Sequence, residues 1–76
     1  MSPTSPATRV LDARLMEPPE PMQRALEEIG QLQHGDRLLM LHHREPYPLY
    51  TILDQRHFHH RTTALADGSY EILIWR

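Results

Sequence analysis

A chain of 76 residues with a net charge of −2 and no cysteine makes one small domain, able to bury only about 60% of its unfolded surface. The missing thiol excludes disulfides, thiolate metal sites and thiol catalysis. All eight basic residues are Arg and they are scattered, which argues against nucleic acid as a partner, and no stretch is long or apolar enough to span a bilayer. The N-terminus shows neither the basic start nor the apolar run of a signal peptide, so the expected location is the cytoplasm.

Residues 1–8 carry Ser-Pro-Thr-Ser-Pro-Ala after Met1, a small, polar, proline-punctuated run expected to be a disordered arm. The folded domain is expected over residues 9–76. Arg9 to Ala13 has the makings of a first strand, with Val10 and Leu11 on opposite faces. An acidic proline turn follows, Glu17-Pro18-Pro19-Glu20-Pro21. Each proline fixes φ and pushes its predecessor out of the helical region, so a helix starts at about Pro19 to Pro21. Met22, Ala25, Leu26, Ile29 and Leu32 then recur at three- and four-residue steps and give that helix one apolar face. His34-Gly35-Asp36 closes the segment.

Arg37 to Leu41 reads as a second strand, apolar on both faces and therefore central. Pro46 and Pro48 are a second start signal, for a short helix carrying Leu49, Ile52 and Leu53. His57 to Ala66 has β character. Asp67-Gly68 is a hairpin signal, and Ser69 to Trp75 is the last strand. In that strand Tyr70, Ile72 and Ile74 share one face while Glu71, Leu73 and Trp75 share the other. The order is β-α-β-α-β-β. Its simplest packing is an α/β (α+β) two-layer sandwich, a four-stranded mixed sheet with two helices on one face. The other sheet face would carry Leu73 and Trp75, open to a partner, to a second copy in a homodimer, or to edge packing in a monomer.

Histidine is the eye-catching excess. His42 and His43 follow the second strand; His57, His59 and His60 begin the third. Imidazole is a versatile transition-metal ligand, so His42, His43, His57 and His59 form a candidate metal set. No pair has the spacing of a known zinc motif, and the competing reading is solvated or hydrogen-bonded histidines. His43-Arg44-Glu45-Pro46 lies at a strand's carboxyl end, where open α/β sheets bind ligands. There His43 and Glu45 could form an acid–base pair, or Glu45 could simply cap the helix. Tyr47, Tyr50 and Trp75 could stack on a ligand, although aromatics in so small a chain are more often core.

From Leu11 onward the chain resembles the TusA-like (SirA-like) sulfur-carrier proteins. Leu11-Asp12 matches the family's strand end, and Pro19-Glu20-Pro21 matches the Pro-x-Pro that opens its first helix. The family glycine falls on Leu15 and the family cysteine on Pro18. A closer resemblance is to a bacterial family of uncharacterised TusA-like domains that lack the cysteine, some of which sit beside hemerythrin-like domains. It rests on Pro46-Tyr47-Pro48-Leu49-Tyr50 and on the closing Tyr70-Glu71-Ile72-Leu73-Ile74. The resemblance implies a TusA-like fold in which strand four lies between strands two and three. The two histidine groups would then stand at opposite ends of the sheet. Proline at the cysteine position offers no nucleophile, so sulfur transfer by the family mechanism is not expected.

The expected function is thus a non-catalytic accessory module, binding a protein partner or a small ligand near the start of helix one. The expected surface joins Glu17, Pro18 and Glu20 to Arg44 and Glu45. Its carboxylates, and the N–H donors that the prolines remove, favour a cation or basic peptide over an anion. No cofactor is expected on this reading. The alternative is a histidine-based metal-binding or redox-linked protein, working with a hemerythrin-like or other redox partner.

Overall fold

In the computed structural model, which describes residues 8–76, the elements follow the order β1 (Thr8–Asp12), α1 (Glu20–Ile29), β2 (Arg37–His42), α2 (Tyr47–Gln55), β3 (His59–Ala64) and β4 (Tyr70–Trp75). The four strands form one mixed sheet in the order β1-β2-β4-β3. β1 runs parallel to β2, and β4 is antiparallel to both β2 and β3. This is the α+β architecture expected from the order of elements. The arm expected over residues 1–8 lies outside the described residues except for Thr8. Thr8 belongs to the sheet instead, because the parallel ladder continues far enough to pair it with Arg37.

Strand alternation sorts the sheet into two faces. Leu11, Leu38, Met40, His42, Ile72 and Ile74 are all buried. The register sets Leu11 beside Met40, Met40 beside Ile72, and Leu38 beside Ile74. Against this face α1 lays Pro21, Ala25 and Ile29, and α2 lays Leu49 and Leu53. The opposite face carries the aligned row Val10, Leu39, Leu73 and Arg61. Val10 there is 63% exposed, while Leu39 and Leu73 are half-buried. Arg9 ties β1 to α1 through a 2.7 Å ion pair with Glu28.

The loops obey local chemistry. Asp12 accepts the backbone N–H and the guanidinium of Arg14, which holds the chain as it leaves β1. That pairing lowers the Asp12 carboxyl to about 2. Gly68 takes a φ of 89° between β3 and β4, a turn conformation that glycine adopts without steric cost. Asp67 accepts both the N–H and the hydroxyl of Ser69 beside it. β3 starts at His59 rather than His57. His57 has a φ of 64° and donates to the Asp54 carbonyl, while Phe58 donates to Leu53. These two bonds are a Schellman C-cap on α2, with His57 in the left-handed position. No helix among the described residues is long and apolar enough to cross a membrane.

Candidate functional site

Both helices begin at proline, and both begin over the carboxyl end of β2. Pro21 and Pro48 lie in the first turns of α1 and α2. Such positions suit proline, since a backbone N–H there would have no intrahelical acceptor and proline has none to satisfy. The two starts stand apart and leave a groove of about 300 Å³ between them. Pro18, Pro19, Pro21 and Met22 line it from the α1 side, and Pro46, Pro48 and Leu49 from the α2 side. Met40 and His42 of β2 also face it, with Arg44 and Glu45 just beyond the strand. The Pro18–Pro19 peptide is cis.

His42 is the buried polar group of this groove, with 8% of its surface exposed. The Arg44 backbone N–H donates to its Nδ1 at 3.1 Å. Nδ1 is therefore the unprotonated nitrogen, and the neutral ring carries its proton on Nε2. Burial pushes the His42 pKa below its ordinary value, and the neighbouring His43 and Arg44 push the same way. Nε2 has no hydrogen-bond partner among the described residues. Since none of their buried polar side-chain atoms lacks a partner, Nε2 still reaches open space. The groove thus offers one fixed N–H donor on an otherwise apolar floor.

Glu45 is committed elsewhere. Its Oε1 accepts the Tyr47 hydroxyl at 3.0 Å and its Oε2 the Tyr50 hydroxyl at 3.1 Å. The Tyr50 hydroxyl also makes a short hydrogen bond with Thr62 Oγ1, and its ring stacks on His60 at 4.7 Å. The carboxylate raises the Tyr47 pKa by accepting its hydrogen bond. For Tyr50 burial is the larger cause of the rise. These bonds fasten α2 to β3 and engage both oxygens of Glu45, which makes no hydrogen bond to His43 among the described residues. Arg44 is exposed at the rim and makes no salt bridge among the described residues.

Of the expected surface, Pro18, Arg44 and Glu45 come together in the groove. Glu17 and Glu20 are exposed and lie outside its lining, so its wall is not the acidic face that the turn suggests. The candidate metal set does not converge. His42 aligns with Tyr70 and Ala64, while His59 aligns with Trp75 and Arg37 at the other end of the sheet. His57 caps α2, and His59 stacks on Trp75 at 5.5 Å. Among the described residues no three His, Asp or Glu side chains are grouped to hold a metal ion.

The groove falls within a recognisable family span. The model of an uncharacterized conserved protein family, DUF2249, matches residues 10–76. The chain belongs to the DUF2249 family. No curated protein and no solved structure matches it. The DUF2249 span includes every residue of the groove and almost all of the sheet.

Within this DUF2249 domain, sequence reasoning missed the part His42 plays in the groove. The available signal was period two: Leu38, Met40 and His42 alternate onto one face of β2, and that face is the buried one. Leu15 lies outside the groove lining. It is 98% exposed in the loop before α1, and no period marks a loop residue.

Proposed function

We propose that this DUF2249 domain is a non-catalytic binding module whose occupant, a small ligand or an inserted side chain of a protein partner, seats in the groove between the starts of α1 and α2. One observation carries the reading. A preformed apolar cleft at the carboxyl end of a central strand contains a buried histidine with an unfilled donor, and few convergent polar groups in a largely apolar cleft are the usual make-up of a ligand site. The position has a counterpart in the TusA-like likeness, where the corresponding helix start carries the working cysteine. Here Pro18 stands in that place and supplies shape instead of a nucleophile. Glu45 is held by two tyrosines and makes no hydrogen bond to His43 among the described residues, which supports the non-catalytic reading.

The test is native mass spectrometry of untagged protein purified without chelator, compared with Met22→Trp, which fills the groove from a half-buried position. We expect a stoichiometric organic or protein adduct on the native chain that disappears in the variant while the unfolding temperature is retained. An adduct that persists in Met22→Trp places the binding surface elsewhere. A stoichiometric metal adduct would replace this reading by a histidine-based metal-binding one.

A further inference from the structure

The polar groups of the groove specify what it can take. The side-chain groups there that lack a partner among the described residues are donors. His42 presents Nε2–H from the floor, with its tautomer set by the Arg44 N–H on Nδ1. Arg44 presents a guanidinium at the rim, unpaired among the described residues. The acceptor in the lining, Glu45, already takes one tyrosine hydroxyl on each oxygen. The unpartnered donors therefore favour a ligand whose polar end accepts hydrogen bonds. A guanidinium without a partner favours an anion, and its planar fork matches a carboxylate. The rest of the wall is proline, methionine and leucine, which calls for an apolar body.

We infer that the groove binds a small carboxylic acid in its ionised form, with the apolar body between the two proline-marked helix starts, one carboxylate oxygen on His42 Nε2 and the carboxylate paired with Arg44. The inference rests on the groove being the binding site and goes on to name what it binds. Its size agrees, since about 300 Å³ lies at the small end of ligand clefts. Glu17 and Glu20 are exposed outside the lining, where salt screens their repulsion of an anion, and Glu45, in the lining, has its charge stabilised by two tyrosine hydroxyls. This reverses the expectation of a cationic or basic partner, which counted the carboxylates of the turn without knowing which of them face the groove.

Benzoate and its neutral isostere benzamide are the probes, titrated into 15N-labelled protein at pH 7.5 and moderate salt. We expect saturable benzoate shifts centred on Met22, Arg44, Glu45 and Leu49, with benzamide weaker by roughly tenfold, the worth of one charge-assisted hydrogen bond. Arg44→Gln, an exposed change that spares the fold, should weaken benzoate by a similar factor and leave benzamide unaffected. His42→Gln, which keeps a side-chain donor, should retain part of the affinity that His42→Leu loses. Benzamide binding as tightly as benzoate, or benzoate unaffected by Arg44→Gln, overturns the carboxylate inference while the groove stands as a site. Absence of groove shifts with either probe overturns both.

Discussion

His42 links the stability of the fold to the readiness of the site. It closes the buried face of β2, and its Nδ1 holds the Arg44 N–H that starts the next loop. Both functions require the neutral ring. Because burial, His43 and Arg44 lower its folded pKa below the unfolded value, the unfolded chain takes up this proton first as pH falls. The stability it contributes is therefore present above the unfolded value of about 6.5 and is lost as pH falls through the folded one. We expect the urea midpoint to decline between pH 7.5 and pH 5, and the decline to be shallower in His42→Gln, which cannot titrate. Parallel slopes for the two proteins would show that other groups set the acid limit. Glu45 faces the same groove, but its carboxylate is tied to tyrosines. The residue-scale chemistry was half legible in the sequence. A histidine after an alternating apolar strand was visible, whereas its tautomer depends on a backbone N–H two residues on.

At the scale of elements, helix starts were legible and one helix end was not, for a single reason. Proline acts on its own backbone, so Pro19, Pro21, Pro46 and Pro48 announce where α1 and α2 begin whatever the tertiary packing. The end of α2 turns on a left-handed residue, and the usual sign of one is glycine. Here His57 takes the position at φ 64°, so the stretch read as the beginning of a strand and His57 as a metal ligand. The hairpin before β4 is the contrasting case, because Gly68 at φ 89° states its conformation openly. A non-glycine residue held left-handed costs about 1 kcal/mol, and His57 is exposed, its side chain making no hydrogen bond or ring contact among the described residues to set against that cost. His57→Gly should therefore raise the unfolding free energy by a few tenths of a kcal/mol in urea titration, once the glycine's added freedom in the unfolded chain is set against the relieved cost. A loss of stability would mean that the imidazole holds the α2–β3 junction in some other way.

For the whole molecule, the order of elements was sufficient to obtain two helices over one face of a mixed sheet, since period-two and period-3.6 patterns survive in so short a chain. The groove was less legible. Its two walls are far apart in sequence, and only the sheet brings them over Met40 and His42. The same one-sided layering makes the two sheet faces unequal in energy. On the covered face Ile74 is fully buried beside Leu38. On the uncovered face Leu73 is half-buried beside Leu39 in the adjacent register position. Both belong to β4, so strand propensity and ladder position nearly cancel in a comparison between them. Ile74→Ala removes a buried branched chain and leaves a cavity under α1 and α2, which costs about 2–5 kcal/mol. Leu73→Ala removes surface that already meets solvent and leaves no cavity, so the cost is about 1 kcal/mol, the scale of partial apolar burial. Urea unfolding at a protein concentration low enough to keep the chain monomeric separates the two. A Leu73→Ala cost equal to that of Ile74→Ala, growing with protein concentration, would mean that a second copy covers the open face; equality at all dilutions would mean that the face is closed within the chain itself.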